Sequence, residues 1–509
     1  MKQHNSYKWP IALFTIGVFM AGLDNGIISA ALTTIYTSFE VSPAWGAWTV
    51  TIYTLGIAIS VPIIGKLSDN YGRKKLFIIE ILLFGIGSYL VAMSPSFNFL
   101  LVARFIQAIG GGGIFIIGSS YVLATMPKEH HGKTLGLLGG MHGISAVIGP
   151  NIGAVILHLT GNWQWLFYIN IPIALFLIVM GIYKLEEGSE PSKNKIDMKG
   201  VVLLSLTIIA FMVGLTNIDG EQLQSSIVSL DVLPFIALGL VGLVFLLSHE
   251  KQLEANGGDP IIAYSLLQKR SFRLTLLLGL LSGGFLATII FIPSYVQQVL
   301  QVSPENAGFW LTPLAIASGI GAGLGGFLTD KIGAKKTIIT SGFIGFTGFL
   351  LFHSYVEGFW LFFIASTLAG IGLGFLLGAP LNVLISESAR EDQYGTSLGT
   401  LSLVRQVGLT LFPTLFASFI TTGVIKIEPI IDETFGKQLL DIGEFEKGTE
   451  YSQIISEINK LEDPYVRGQL LELVANVMKT GFQYMFMTAM FIAIVVVGIS
   501  MLIRVKNSG

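Results

Sequence analysis

Five ionisable side chains sit inside stretches otherwise too apolar to hold them: Asp24, Glu80, Arg104, His142 and Arg405. A charge at the centre of a membrane-spanning helix costs about 2.5–3.5 kcal/mol on insertion scales, so such a residue usually has a partner or a task. Asp24 and Arg104 have the types to pair. An apolar cavity favours the neutral carboxyl and a nearby guanidinium favours the carboxylate, so a site poised between the two can load and release a proton. Asp24 is the candidate protonation site and Arg104 its modulator; the alternative is a structural ion pair that never titrates. His142 either titrates near neutral pH or serves as a hydrogen-bonding residue. Arg405 keeps its proton and either attracts an anionic substrate group or neutralises a carboxylate. Glu80 lies near a helix end, where it reaches the surface, pairs with nearby lysines or carries a proton.

These residues are held by runs of apolar sequence. Hydrophobic residues make up 52% of the 509 residues and charged residues 12%, with mean hydropathy +0.71. A soluble domain carries about 25% charged residues, so this composition calls for lipid as solvent. Runs long enough to cross ~30 Å of hydrocarbon as helices fall at 11–36, 46–66, 76–94, 98–126, 133–158, 164–184, 199–217, 231–249, 272–299, 304–328, 336–354, 359–386, 394–423 and 479–504. The alternating ten-residue pattern of a membrane β-barrel is missing. With the N-terminus inside, 22 of the 30 Lys and Arg residues fall in inside segments and none in the short outside loops. This asymmetry predicts a multi-pass protein with both termini cytoplasmic. The run after Met1–Pro10 is too long for a signal-peptide core, so it is expected to remain as the first span.

The net charge of -2 and the absence of a dense basic tract point away from nucleic acid, and the lack of cysteine excludes disulfides and thiolate metal sites. His130 and His131 lie among Lys128, Glu129 and Lys133 as a wet loop rather than a metal site. No nucleotide-binding loop, catalytic triad or zinc motif is present, so no cofactor and no enzyme activity are expected, and an ion gradient must supply the energy.

An internal repeat organises the chain. Gly65-Lys66-Leu67-Ser68-Asp69-Asn70-Tyr71-Gly72-Arg73-Lys74-Lys75 is echoed 261 residues later by Gly326 through Lys336, with Asp330 and Gly333 in register and Ala334 where the first copy has arginine. At an offset of 263, His142 falls on Arg405 and Pro150 on Pro413. Two related six-helix halves follow, residues 1–184 and 272–509, separated by a segment, 185–271, that contains an inserted two-helix hairpin. A loop at 424–478 holds eleven acidic residues. Ile454, Ile455, Ile458 and Leu461, then Leu470, Leu471, Leu473 and Val474, predict two short amphipathic helices there.

On these motifs the chain resembles the major facilitator superfamily, in particular its fourteen-helix drug:proton antiporters. Gly65 to Lys75 matches the superfamily loop signature. Leu101-Val102-Ala103-Arg104-Phe105-Ile106-Gln107 with Gly110 resembles the fourth-helix arginine signature. Gly136, Gly139, Gly140, Gly143, Gly149-Pro150 and Gly153 resemble the fifth-helix antiporter signature, whose small residues are expected to line one packing face. Leu23-Asp24-Asn25 with Ala31-Leu32 resembles the first-helix pattern, which continues with proline where this chain has Thr33.

The resemblance implies an all-α major facilitator fold. It also implies a conformational latch at the cytoplasmic side built from Gly65, Asp69, Gly72 and Arg73, with a weaker second copy at Asp330 and Gly333. The expected activity is proton-coupled export of small lipophilic or amphiphilic compounds such as drugs. Transport of a lipid or lipid-linked molecule is the alternative, and a non-transporting sensor a remote one. Further carboxylates common in multidrug-cation exporters are missing from helices two, ten and thirteen, so neutral, singly charged, zwitterionic or lipid-like substrates are expected. Trp48, Tyr53, Phe285, Phe291, Tyr295 and Trp310 either line a cavity with Asp24 and Arg405 or pack between helices. The expected partners are protons, the substrate and the bilayer. The expected state is a monomer in a bacterial plasma membrane.

Overall fold

The computed structural model describes residues 7–187, 195–220, 222–303, 308–356, 358–425, 427, 451–461 and 463–503. Among them no strand occurs. The spanning helices are α1 (Lys8–Ser38), α2 (Pro43–Tyr71), α3 (Arg73–Ala92), α4 (Phe97–Thr125), α5 (His131–Thr160), α6 (Trp165–Lys184) and α7 (Met198–Thr216). They continue with α8 (Leu233–Ala255), α9 (Arg270–Gln298), α10 (Thr312–Ile332), α11 (Ala334–Ser354), α12 (Phe359–Ser386), α13 (Tyr394–Ile425) and α14 (Pro464–Leu502). Thirteen spans are straight enough to count individually, and α5 makes the fourteenth as two segments bent by 43° between Ser145 and Ile148. Pro150 explains the bend, because its ring displaces the carbonyl four residues earlier and it donates no hydrogen bond.

Helices here form because the bilayer offers no partner for a free amide, so each spanning segment must satisfy its backbone internally. Sequence fixes where they start. Ser42 accepts from the Trp45 amide and Pro43 opens α2; Ser96 does the same for Phe99 at the start of α4. At the other end of α2, Gly72 adopts φ 95° and passes the chain into α3. Gly333, with φ 90°, makes the same turn between α10 and α11. A β-carbon would be strained in either place.

Packing repeats the sequence symmetry. In the first half α1 packs on α5, α3 on α4 and α6, and α2 on α4; in the second half α9 packs on α13, α11 on α12 and α14, and α10 on α12. The halves meet through two crossed pairs, α5 with α10 and α2 with α13. The α7–α8 hairpin packs on itself and, through α7, beside α2 and α13. Val102, Val244, Phe245, Phe327, Phe343 and Phe491 point outward with more than half of their surface exposed, which is stable only where lipid covers them.

The second amphipathic segment departs from expectation. It is not a separate short helix but the first turns of α14, a helix of 39 residues. At 1.5 Å per residue such a helix is about 58 Å long, well beyond a ~30 Å core. Asp463 Oδ1 caps it by accepting from Tyr465 N at 2.9 Å, Pro464 opens it, and nothing breaks it before Leu502. The first segment is a short helix, Tyr451–Asn459, and its Ile454 and Ile458 are buried against α14. Residues 428–450 of the acidic loop lie outside the described residues.

Candidate functional site

The centre of the first half is a sealed polar network. Arg104 on α4 donates from Nη1 to Asp24 Oδ2 on α1 at 2.7 Å and to Gln107 Oε1 at 2.7 Å. Gln107 Nε2 donates to Asp24 Oδ1 at 2.8 Å and to Ser88 Oγ on α3 at 2.8 Å. Asn170 Nδ2 on α6 adds a third contact to Asp24, at 3.1 Å to Oδ1. Arg104 Nε reaches the Thr49 carbonyl on α2 at 3.4 Å, and its guanidinium lies 4.0 Å from the centre of the Tyr53 ring. Five helices therefore converge on one ion pair, with Asp24 1% and Arg104 0% exposed. Arg104 and Gln107 share a face because they are three apart on one helix. The roles of Ser88, Gln107 and Asn170 escape sequence reasoning; only the i,i+3 placement of Gln107 beside Arg104 hinted at one of them.

At the end carrying the Gly65–Lys75 loop, two carboxylates tie the halves together. Asp69, in the last turn of α2, accepts from the Gly395 and Thr396 amides at 2.9 and 2.8 Å and from Thr396 Oγ1 at 3.0 Å. These are the free amides of the first turn of α13, where backbone donors lack helical acceptors and the helix dipole favours an anion. Arg73 Nη2 lies 3.4 Å from Asp69 Oδ1 and 3.2 Å from the Glu391 carbonyl, while its Nε donates to Ser120 Oγ at 3.1 Å. Asp330 repeats the device on α10, accepting from the Gly132 and Lys133 amides of α5 at 2.6 and 2.8 Å. No arginine joins it, since Ala334 takes that place. The helices can approach this closely because Gly65 faces Gly395, and Gly326 faces Gly132. A β-carbon on Gly65 would stand 2.3 Å from the Gly395 carbonyl oxygen.

The glycines of α5 do not share one face. Gly132, Gly136 and Gly140 meet α10 and Gly139 meets Gly378 on α12, whereas Gly149 and Gly153 meet Gly26, Ile27 and Ala30 on α1. Gly149 follows Gly140 by nine residues, about two and a half turns, so the two sets lie on opposite faces of the helix, one toward the opposing half and one toward the home half. A β-carbon on Gly143 would meet only Ser318 Oγ of α10, at 4.0 Å.

His142 and Arg405 lie apart from the Asp24 network. His142 is exposed although its neighbours are inner helices: its ring approaches Gly22 on α1, stands 6.1 Å from Phe115 on α4, and interacts electrostatically with Arg405 on α13. Exposure at such a place means a void between the halves. Asn25, also exposed, lies three residues from Gly22 on the same side of α1. Arg405 Nε donates to Ser282 Oγ on α9 at 3.1 Å, and its Nη2 has no partner.

Several expected cavity residues are placed elsewhere. Tyr53, 2% exposed, lies under Arg104. Phe285 is buried in a stack with Phe349, and Tyr295 is buried among Phe352, Phe482 and Phe486. Asp24 itself is sealed from the void. Trp310 packs on Phe359 and Phe362, and Phe291 on Phe416. Trp48 is 39% exposed beside Trp45. Glu80 reaches neither lysine nor surface: fully buried, it accepts from the Gly113 amide at 3.0 Å, where α4 breaks.

Two six-helix halves joined by crossed helix pairs and an inserted hairpin define the major facilitator fold, and residues 14–413 match the sequence model of the Major Facilitator Superfamily. The chain belongs to that superfamily. It is 54% identical over 506 residues to the uncharacterized MFS-type transporter YfiU of Bacillus subtilis (strain 168), covering 98% of this chain and 97% of that protein. It is 30% identical over 517 residues to multidrug resistance protein 3 of the same organism, covering 98% and 96%. The crystal structure of the human organic anion transporter MFSD10 (TETRAN) superposes with a TM-score of 0.62 at 13% identity, covering 96% of this chain and 99% of that one.

Proposed function

We propose that this protein is a proton-coupled antiporter that exports small lipophilic or amphiphilic compounds, and that it is not an enzyme. The observation that carries the reading is the Asp24–Arg104 pair, sealed among five helices. The carboxyl group there is bound by Arg104, Gln107 and Asn170. Protonation removes the attraction to Arg104 and leaves the guanidinium to be satisfied by Gln107 and the Thr49 carbonyl. Because the pair ties α1 to α4, a proton on Asp24 loosens the first half from within. One elementary charge moving across 100 mV supplies about 2.3 kcal/mol, comparable with such a rearrangement.

The Lys- and Arg-rich end is read as cytoplasmic, with both termini on that side of a bacterial plasma membrane. The Asp69 and Asp330 contacts then describe a state closed to the cytoplasm, with the void at His142 awaiting or releasing substrate. Rocking of the halves breaks both carboxylate contacts together, since each ties an end of one half to a helix start of the other. The kinship with a multidrug resistance protein supports export of drug-like compounds.

The test is substrate-driven proton release from proteoliposomes under an imposed pH gradient, with the neutral variant Asp24→Asn alongside. Wild type is expected to couple the two fluxes, and Asp24→Asn to bind substrate without proton release. Full coupling in the variant removes Asp24 from the mechanism.

A further inference from the structure

The void between the halves is electrostatically one-sided, and its charge names the kind of compound it takes. Asp24, Glu80, Asp69, Asp330 and Glu250, five carboxylates of the spanning helices, are each engaged away from it. Both oxygens of Asp24 are occupied by Arg104, Gln107 and Asn170, and the residue is 1% exposed. Glu80 is buried on the Gly113 amide. Asp69 and Asp330 are held by the first turns of α13 and α5. Glu250 is buried at the far end of α8, in the hairpin. Against these stands Arg405, a partly exposed side chain whose Nε is fixed by Ser282 and whose buried Nη2 has no hydrogen-bond partner among the described residues. Among the described residues no carboxylate lies within ion-pair distance of it.

A guanidinium without a counter-ion in mid-membrane is a standing cost that a protein retains for a reason. His142, which interacts electrostatically with Arg405, adds a nitrogen-bearing ring and no negative charge. Its side chain is exposed, and among the described residues it has no hydrogen-bond partner. Arg405 and His142 are also the positions that the internal repeat superposes, one on α13 and one on α5, so the two halves present matching basic groups to one space. Phe115 lies against His142 and supplies an apolar surface beside the basic pair.

We propose that this void binds amphiphiles with an anionic head group, such as a sulfonate or carboxylate on an aromatic body, with Arg405 as the counter-ion and His142 as a second donor. The proposal rests on the reading of the chain as an exporter through the same void. An anion is the one ligand that turns the Arg405 cost into a gain, because the planar guanidinium offers a fork that matches oxyanions. A cationic amphiphile would meet Arg405 with no accessible acid to offset it.

Equilibrium binding separates this proposal from proton coupling. The full chain is placed in phosphatidylcholine nanodiscs and titrated with 2-naphthalenesulfonate and with 2-naphthyltrimethylammonium, which share one ring system and differ in head charge. Wild type is expected to bind the sulfonate about 10- to 100-fold more tightly, the range that one or two hydrogen bonds to a charged group provide. Arg405→Gln is expected to lose that preference while still binding the ring system weakly. Arg405→Lys keeps the charge, and therefore keeps the preference with reduced affinity. Equal or tighter binding of the ammonium by wild type, no binding of either probe, or an undiminished preference in Arg405→Gln overturns the proposal. Proton-coupled export of cations alone would leave the antiporter reading standing and sink this one. Binding of the sulfonate without proton-coupled export would do the reverse.

Discussion

Asp69 and Asp330 perform the same act on opposite halves: each carboxylate, one on α2 and the other on α10, caps the opening turn of the interface helix that belongs to the other half. The internal repeat thus becomes a pair of reciprocal bonds rather than two independent loops. Such a bond is a sum of charge-assisted hydrogen bonds and the favourable meeting of an anion with a helix N-terminus. Both terms vanish once the halves separate, which makes these contacts state-specific.

The two contacts are unequal, and this is measurable. Asp69 engages three donors at the start of α13 and has Arg73 alongside, whereas Asp330 engages two amides. The chain contains no cysteine, so paired spin labels can be introduced without background at Tyr71→Cys and Ile332→Cys, both at exposed ends of α2 and α10. Asp69→Asn is expected to broaden the label distance distribution toward longer values more than Asp330→Asn, and the double variant more than either. Identical distributions in all four proteins would show that neither carboxylate holds the halves together.

Breaking the Asp24–Arg104 pair from one side should cost more than removing it. A single Asp24→Asn or Arg104→Gln leaves an uncompensated buried group, a loss of about 3–5 kcal/mol for buried pairs. The double variant Asp24→Asn with Arg104→Gln replaces two charges by neutral amides able to hydrogen-bond within the Gln107, Ser88 and Asn170 network. It is therefore expected to recover most of the loss in thermal denaturation in detergent while remaining uncoupled. A double variant no more stable than the worse single variant would contradict this.

How much of this was legible in the sequence depends on what distinguishes a residue there. Asp24 and Arg104 stand out because charge in an apolar run is rare. The spans stand out because loops carry the lysines and arginines. Ser88 and Asn170 do not, since uncharged polar side chains are common in spanning helices and nothing local says which way they point. The same ambiguity left Tyr53, Phe285 and Tyr295 open between cavity and packing, because a helix apolar all round gives no periodicity from which to read its rotation; they pack. The α14 extension was missed because an amphipathic segment reads alike whether it stands alone or continues into a span. Only the absence of a breaker between Pro464 and Leu502 distinguishes the two. The bend in α5 was signalled by Pro150, and the nine-residue step from Gly140 to Gly149 already puts the two glycine sets on opposite faces, but which helices those faces meet is a matter of three-dimensional packing.

Glu80 provides a contrast with Asp24, because among the described residues no cation pairs with it. Its Oε2 accepts from the Gly113 amide, freed where α4 breaks, and its Oε1 has no partner. Glu80→Gln keeps an acceptor for that amide and is expected to change stability by less than about 1 kcal/mol. Glu80→Leu removes the acceptor and leaves a buried amide unsatisfied, which costs about 1–3 kcal/mol. Thermal melts of the two variants in one detergent decide it; equal losses would mean that the Gly113 contact carries no weight.

One carboxylate ties the segment after α8 to α2. Asp259, in the segment after α8, pairs with Lys66 and accepts from Asn70 Nδ2 at 3.0 Å. Lys66 and Asn70 are one turn apart on α2 and bracket Asp69 in sequence, so the connection lands beside the contact that closes the halves. It uses separate atoms, however, and Asp69 keeps all its donors without it. Asp259→Ala is therefore expected to free the connecting segment without opening the halves. Losing contacts worth about 1–3 kcal/mol raises the population of the detached segment roughly 5- to 150-fold, and tryptic cleavage after Lys251 should accelerate in that range. The Tyr71→Cys to Ile332→Cys distance should stay as in the parent. A widened distance with unchanged cleavage would mean that Asp259 supports the closed halves directly rather than anchoring the hairpin.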